Sequence, residues 1–188
     1  MDTVRANPVV ISIYGQPGAG KSTISAYIFA KLKMLGVNCE LVTEFAKDKV
    51  WEENNTALSN QIYIFAKQYY RIARCAGKVD VIITDSPLFL SPFYNKDDAI
   101  DKPLKELVYA INSKYQNLNY FVRRVKKYNP IGRQQTEKES DEYGVRIKGM
   151  LDKFGVKYKA IDGDLMSADI VVQDITEVLN GEKLENLQ

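Results

Sequence analysis

The chain alternates between short apolar runs and longer stretches whose apolar residues recur every three or four positions. Short runs of this kind are typical of strands buried in a parallel sheet, and the longer stretches are typical of amphipathic helices. The predicted strands are Val9–Tyr14, Cys39–Val42, Val79–Thr84, a strand around Tyr120–Val122, and Val156–Ile161. Five strands therefore follow one another without any internal repeat or low-complexity linker.

Helices are predicted in the segments between these strands. The clearest are Lys21–Leu35, Leu58–Ala76 and Glu137–Phe154, with shorter helices near Trp51, over Leu104–Tyr115 and over Ile170–Val178. Strands that alternate with helices predict an α/β fold, here a five-stranded parallel sheet with helices on both faces. The length of 188 residues suits a single domain over residues 1–188. Ligands of such sheets bind at the carboxyl ends of the strands.

The turn after the first strand carries the most specific motif. Gly15–Ser22 reads Gly-Gln-Pro-Gly-Ala-Gly-Lys-Ser, which matches the pattern G-x-x-x-x-G-K-[ST]. In this pattern backbone N–H groups surround phosphate oxygens, the lysine reaches the β- and γ-phosphates, and the serine hydroxyl binds Mg²⁺. The sequence thus predicts a P-loop NTPase that binds ATP and Mg²⁺. The predicted nucleotide-binding residues are Gly15, Gly18, Ala19, Gly20, Lys21, Ser22 and Thr23.

Two carboxylates follow neighbouring predicted strands. Asp85 comes directly after the third strand, where an aspartate can hold Mg²⁺ with Ser22 or accept the proton of an attacking hydroxyl. Its alternative role is to cap a helix. Glu44 follows the second strand and could deprotonate an acceptor, or serve only as a first-turn glutamate. Motor ATPases place an acid after the aspartate, and Ser86 stands there instead, which favours transfer to a bound alcohol.

A basic stretch follows the fourth predicted strand. Its cationic residues are Arg123, Arg124, Lys126, Lys127 and Arg133. We expect a lid over about residues 123–139 that closes on the phosphates, with Arg133 stabilising the transferring phosphoryl group and Arg124 contacting the nucleotide. The alternatives are a solvated basic loop and a nonspecific nucleic-acid patch.

The acceptor side of the site is predicted on the long helix and on the loop after the second strand. Gln61 and Gln68 lie one heptad apart on the same helical face, and Arg71 follows three residues later. An amide can bind a base edge, an aromatic ring such as Phe45 could stack on the base, and Glu44 completes the predicted substrate-binding set. The alternative is that these residues serve packing and solubility.

Composition narrows the chemistry. The chain has no histidine, which excludes histidine acid–base catalysis and histidine zinc ligands. Its two cysteines, Cys39 and Cys75, have no metal-ligand spacing and are expected to be reduced thiols of a cytoplasmic protein. A net charge of +2 gives no global signal for a polyanion, and no stretch approaches a membrane span. The oligomeric state stays open, and a dimer is compatible with the sequence.

These motifs resemble those of small P-loop kinases. The chain is similar to the nicotinamide-riboside kinase domains of bacterial NAD regulators, more loosely to deoxyribonucleoside kinases, and to short phage proteins labelled as AAA-domain ATPases, some relatives of which phosphorylate hydroxymethyluracil in DNA. The resemblance rests on Ile13–Thr23, Leu41–Lys47, Ile82–Pro87 and the Arg123–Glu137 segment. It implies that Glu44 acts as the base. The acid-Arg-Ser element of deoxyribonucleoside kinases is absent, because Asp85 is followed by serine.

The sequence therefore predicts an ATP- and Mg²⁺-dependent kinase. Its acceptor would be a hydroxyl of a nucleoside, a nucleotide or a modified base in DNA, including hydroxymethyluracil. Lys21, Asp85, Glu44 and Arg133 are the predicted catalytic residues. The alternative is an AAA-like ATPase or a nucleotide-dependent regulator that acts by assembly. Either Glu44 or Asp85 could be the base, and ATP is not distinguished from GTP.

Overall fold

The structure is a computed structural model that describes residues 7–131 and 135–181. Five parallel strands form one sheet in the order β2-β3-β1-β4-β5. They are β1 (Val9–Tyr14), β2 (Cys39–Val42), β3 (Val81–Thr84), β4 (Gln116–Arg123) and β5 (Lys159–Asp162). The predicted P-loop α/β architecture is therefore confirmed, and β1 occupies the centre of the sheet.

Eight helices are described between and after the strands. They are α1 (Lys21–Met34), α2 (Phe45–Trp51), α3 (Asn55–Ser59), α4 (Gln61–Ala73), α5 (Leu90–Tyr94), α6 (Asp98–Asn112), α7 (Glu137–Lys153) and α8 (Leu165–Leu179). Each of α6, α7 and α8 begins at a side-chain cap, and α7 has a complete capping box formed by Thr136 and Glu139.

Apolar clusters cover both faces of the sheet. Alternate residues of β1 point to opposite faces, so Val9, Ile11 and Ile13 pack with α1 and α8. Val10 and Tyr14 pack on the other face with residues of α4, α6 and α7. Because β1 is buried on both faces, the phosphate-binding turn at its end is attached to the centre of the core.

The boundaries of several predicted elements were wrong. The long helix Leu58–Ala76 is interrupted, because the side chain of Asn60 accepts a hydrogen bond from the backbone N–H of Tyr63 and starts a new helix. After β3 the structure has the helix α5, which was not predicted, and α6 begins at Asp98 rather than at Leu104. The fifth strand begins at Lys159 rather than at Val156. In each case local capping or tertiary pairing overrides the apolar periodicity.

The predicted lid is described only in part. Helix α7 begins at Glu137, as expected from the sequence. Arg133 and its neighbour Gly132 lie outside the described residues. None of the helices within residues 7–131 and 135–181 has the length and apolar character that crossing a membrane requires.

Candidate functional site

The phosphate loop, Gly15–Ser22, connects β1 to α1 at the carboxyl edge of the sheet. Gly15 has φ of 145° and Gly20 has φ of 100°, a region in which side chains other than glycine are strained. A Cβ atom at Gly15 would also lie 2.8 Å from the carbonyl oxygen of Val122 in β4. The loop therefore needs glycine for its conformation and for its close packing.

The first turn of α1 is open to an anion. Gly20 is the N-cap and offers no capping side chain, and the first turn contains no acidic residue. Ser22 and Thr23, predicted to bind nucleotide and metal, are exposed in this turn. The Lys21 ammonium donates hydrogen bonds to the loop carbonyls of Gly15 at 2.9 Å and Gln16 at 3.2 Å. Backbone N–H groups and a lysine thus converge where a phosphate would bind.

Asp85 lies directly after β3, beside the phosphate loop. Its side chain is 8% exposed, and its Oδ1 atom has no hydrogen-bond partner among the described residues. Burial raises the pKa of this carboxyl, whereas Lys21 and the backbone amides of Asp85 and Glu44 act in the opposite direction. A buried acceptor without a partner is costly in a protein interior, so Asp85 is better suited to a ligand than to helix capping.

Glu44 approaches the same place from β2. It is the N-cap of α2, but its side chain makes no capping hydrogen bond. Burial raises the pKa of its carboxyl, attraction to Lys21 lowers it, and the negative charge of Asp85 raises it again. The structure therefore brings Lys21, Glu44 and Asp85 within electrostatic range of one another at the carboxyl ends of the strands. Although Glu44 occupies the N-cap position of α2, its side chain does not cap the helix.

These residues fit a Mg²⁺ ion, which is the metal that phosphate loops employ. Mg²⁺ prefers oxygen ligands and usually takes only one or two from the protein, the others being water and phosphate. The Ser22 hydroxyl is exposed, and Asp85 offers an unpartnered buried oxygen. In the described part of the chain, no group of three or more acidic, histidine or cysteine residues could hold a metal by itself.

Gln68, predicted to bind a base, is only 3% exposed. Its Oε1 accepts a hydrogen bond from the backbone N–H of Phe45 at 2.9 Å. Its Nε2 lies 3.4 Å from both the carbonyl oxygen of Thr43 and the hydroxyl of Thr84. Both ends of the amide are thus engaged within the protein, which favours the packing alternative over base binding.

Arg71 and Gln61 are also engaged with neighbouring protein groups. Arg71 donates to the carbonyl of Thr43 at 3.2 Å and pairs with Asp48 of α2. Its guanidinium carbon lies 5.2 Å from the ring centroid of Phe45. Gln61 donates from its Nε2 atom to a carbonyl oxygen in the preceding turn. The Arg71 contacts support the loop that carries Glu44.

Phe45 was predicted to bind substrate, but it is 8% exposed and packed into the protein. Its ring meets that of Tyr63 edge-on at 5.5 Å, and the cations of Lys49 and Arg71 lie over it at 5.2 Å. Most of the ring is therefore covered by protein. Its clearest effect is to fix the start of α2, next to Glu44.

The two arginines at the start of the predicted lid are ion-paired. Arg123 donates to Asp162 at 2.8 Å. Arg124, whose side chain is only 10% exposed, pairs with Asp141 at 2.6 Å and Glu137 at 3.1 Å. Arg124 is thus held against the first turns of α7, where its Nη1 atom also donates to Ser140 at 3.4 Å, the residue that bonds Pro17 of the phosphate loop. These pairs also reduce the positive charge that the stretch offers to a polyanion.

An aromatic cluster that sequence reasoning missed lies near Glu44. It consists of two side chains at the end of α5 and two on α7: Phe93, Tyr94, Tyr143 and Arg146. The ring centroids of Phe93 and Tyr94 are 5.0 Å apart, and the Arg146 guanidinium carbon lies 5.1 Å from Phe93. Burial raises the pKa of Tyr94, and the charge of Glu44 adds to this effect. The cluster thus lies within electrostatic reach of Glu44.

The sequence matches the model of the AAA domain family over residues 10–167. The match includes the phosphate loop, both carboxylates and the aromatic cluster. The chain belongs to this AAA domain family. A comparison with curated protein sequences finds no match.

Solved structures support the fold of this AAA domain. It is similar to a crystal structure of NadR protein in complex with NR, with a TM-score of 0.69 and 17% sequence identity. The alignment covers 96% of this chain and 54% of the NadR chain, so the chain spans about half of that protein. At this level of identity the likeness establishes a shared architecture.

Two further contacts of the AAA domain hold its phosphate loop from outside. Ser140 of α7 is fully buried and donates to the carbonyl of Pro17 at 2.6 Å. Gly163, after β5, lies so close that a Cβ atom there would be 2.4 Å from the carbonyl oxygen of Ala19. Sequence analysis missed both. A glycine directly after the last strand was the one available signal for Gly163, whereas nothing local distinguishes Ser140.

Proposed function

We propose that this protein is an ATP- and Mg²⁺-dependent phosphotransferase that phosphorylates an alcohol. The observation that carries the proposal is the arrangement of Lys21, Glu44 and Asp85 at the carboxyl edge of three adjacent strands. The phosphate loop would bind the triphosphate, and Ser22 and Asp85 would hold the metal. When bound, Mg²⁺ neutralises charge on the β- and γ-phosphate oxygens.

Glu44 is the group we assign as the base. The acceptor oxygen attacks the γ-phosphorus, the bond from phosphorus to the ADP oxygen breaks, and the hydroxyl proton passes to the Glu44 carboxylate. Burial raises the pKa of Glu44, which makes it a better proton acceptor than an exposed glutamate. Lys21 stabilises the charge that develops on the transferred group, and Arg133 is proposed to assist it from the lid.

The acceptor we favour is a free nucleoside or nucleotide. Its flat base would stack on the aromatic cluster, while its sugar hydroxyl would reach Glu44. The similar NadR structure was determined in complex with NR. A hydroxymethylated base in DNA is the less favoured acceptor, because Arg123 and Arg124 are paired with acids.

A transfer assay tests the proposal. Nucleosides, mononucleotides and hydroxymethylated DNA are each incubated with γ-labelled ATP and Mg²⁺, and label uptake is measured. We expect Lys21→Ala to abolish uptake by the accepted class while the folded structure is retained. Lys33→Ala is the matched control, because Lys33 lies at the exposed far end of the same helix and should leave transfer unchanged.

The same assay distinguishes the AAA-like alternative that acts by assembly. Such a protein would hydrolyse ATP at full rate without an acceptor, and its molecular mass in light scattering would change on addition of ATP. Label released only as phosphate, together with an ATP-dependent change in mass, would overturn the kinase proposal. Steep salt dependence of transfer would indicate a DNA acceptor instead of a free nucleoside.

A further inference from the structure

Gln68 is the only buried glutamine among the described residues, and its bonds have an unusual distribution. All of the partners recorded for its amide are residues next to Glu44 or Asp85. Thr43 and Phe45 precede and follow Glu44 in the chain, and Thr84 directly precedes Asp85. A glutamine that served packing alone would have no reason to bond only at these positions.

The same hydrogen-bond network also reaches Ser86, the residue that follows Asp85. The hydroxyl of Thr84, which Gln68 approaches at 3.4 Å, also accepts a hydrogen bond from the backbone N–H of Ser86 at 3.2 Å. We call this set of contacts the amide bridge, formed by Gln68 with Thr43, Phe45, Thr84 and Ser86. It joins the loop after β2 to the loop after β3 on both sides of each carboxylate.

Glutamine is well suited to this position. The bridge needs an acceptor for the N–H of Phe45 and a donor for the Thr84 hydroxyl and the Thr43 carbonyl on one side chain, which an amide provides. A glutamate at position 68 would lose the donor, a methionine would lose both functions, and an asparagine would be one methylene too short. In a buried setting such a network is effective only when its members are satisfied.

We propose that Gln68 is a positioning residue that sets the distance between the carboxylates of Glu44 and Asp85, and that phosphate transfer depends on this distance. The inference rests on the function proposed above. The reaction needs the base at the acceptor hydroxyl and the metal-binding aspartate at the phosphates, and small errors in such placement slow catalysis strongly. Arg71 supports the same loop from one turn further along α4 by its bond to Thr43.

The test compares Gln68→Met with Ile72→Val. Ile72 is 2% exposed on the same helix, so its truncation destabilises the fold without touching the amide bridge. We expect Gln68→Met to lower kcat about tenfold to a hundredfold with little change in the KM for ATP. Ile72→Val should lose about as much melting temperature as Gln68→Met does. Its kcat should nevertheless stay at the wild-type value. Equal kcat values in the two variants would overturn the proposal.

A second pair of variants covers the case in which Gln68→Met does not fold. Thr84→Val removes the shared hydroxyl at nearly the same volume, and Thr84→Ser retains it. We expect Thr84→Val to reproduce the loss of kcat and Thr84→Ser to restore most of it. If Thr84→Val keeps the kcat of the wild type, the bridge does not position the carboxylates.

A measurement without turnover separates this inference from the proposed function. The carboxyl carbons of Glu44 and Asp85 are titrated by NMR in the wild type and in Thr84→Val and Gln68→Met. We expect the pKa of Glu44 to move towards its ordinary value when the bridge is removed, because the two carboxylates separate and gain water. Unchanged titration would contradict the inference, even if the kinase assay succeeds. A shift of the Glu44 pKa in the variants, together with no phosphate transfer by the wild type, would support the amide bridge and reject the proposed kinase activity.

Discussion

Asp85 combines two properties that oppose each other. It is buried with an unpartnered oxygen, and burial raises its pKa because the charged form is poorly solvated there. The same oxygen is available to a metal ion, since no protein donor among the described residues occupies it. Such a carboxylate lowers the stability of the metal-free protein and contributes to binding when the metal is present, as is common at functional sites.

Asp85→Asn should therefore remove activity without destabilising the fold. Phosphate transfer is expected to fall by about a hundredfold or more, because a metal ligand is lost. The melting temperature at pH 7 should stay the same or rise, because a buried charge with an unpartnered oxygen is replaced by a neutral amide. Calorimetry and the transfer assay measure the two effects, with the exposed residue change Asp98→Asn as the control.

The pH dependence of this stability difference has a defined sign. The raised pKa means that folded Asp85 binds its proton more tightly than the unfolded chain does. The loss of unfolding free energy caused by the buried charge is therefore absent below the pKa that Asp85 has in the unfolded chain. It grows as the pH rises through the pKa of Asp85 in the folded protein. Any gain in melting temperature of Asp85→Asn should shrink towards acidic pH. A gain that grew on acidification would contradict this account.

At the scale of elements, the phosphate loop is held by main chain from two sides. The carbonyl of Val122 at the end of β4 meets Gly15, and Gly163 after β5 meets Ala19. Helix α7 adds the bond from Ser140 to Pro17. The conformation of the phosphate loop thus depends on its packing against β4, the residue after β5, and α7. These contacts preorganise the loop to bind phosphate.

Gly163→Ala tests this packing. Its Cβ atom would lie 2.4 Å from the Ala19 carbonyl and 3.0 Å from that of Arg123, so the phosphate loop must move. We expect stability to fall by about 1–3 kcal/mol and ATP affinity to fall with it. Denaturant unfolding and calorimetric ATP titration measure the two quantities.

The control for this change is Gly149→Ala in the middle of α7. A Cβ atom there would have no neighbour within 4 Å. Alanine is favoured over glycine inside a helix by roughly 0.5–1 kcal/mol, so this variant should be more stable than the wild type. If both glycine variants behaved alike, the close packing at Gly163 would be unimportant.

Strands, helices and the phosphate loop were predictable from sequence where a single local sequence signal dominates. The apolar run of β1 and the glycine motif after it defined the phosphate loop correctly, including the start of α1 at Lys21. The helix predicted at Leu58–Ala76 failed because an asparagine cap interrupts an otherwise continuous apolar face. The role of Gln68 was not visible, because its partners are 16 to 25 residues away in sequence and meet it only in the folded protein.

At the scale of the molecule, the order of the strands determines which predicted site residues meet. Asp85 and Glu44 follow strands on one side of β1, and Arg123 and Arg124 lie at the end of β4 on the other side. Strand order cannot be read from apolar runs alone, but the rule that ligands bind at the carboxyl edge was sufficient to bring these residues together. The ion pairs of Arg123 and Arg124 depend on where α7 and β5 pack, and local sequence does not contain that information.

Mg²⁺ and ATP should stabilise the whole fold by mass action. At a ligand concentration a hundred times the Kd, the gain is about 2.7 kcal/mol. For a chain of 188 residues this corresponds to a rise in melting temperature of roughly 5–10 °C. Differential scanning fluorimetry measures it, and Lys21→Ala should lose the rise while Lys33→Ala keeps it. A melting temperature that ATP does not change would refute nucleotide binding at the loop.

The central place of β1 has a consequence for how such a protein can diverge. The strands that carry the two acids lie to one side of it, and the strands that brace the loop lie to the other. Under the proposed function, the acids that carry out the transfer and the main chain that supports the nucleotide loop come from different halves of one sheet. Mutations beside the loop in β4 or after β5 can then change nucleotide affinity while both acids keep their places.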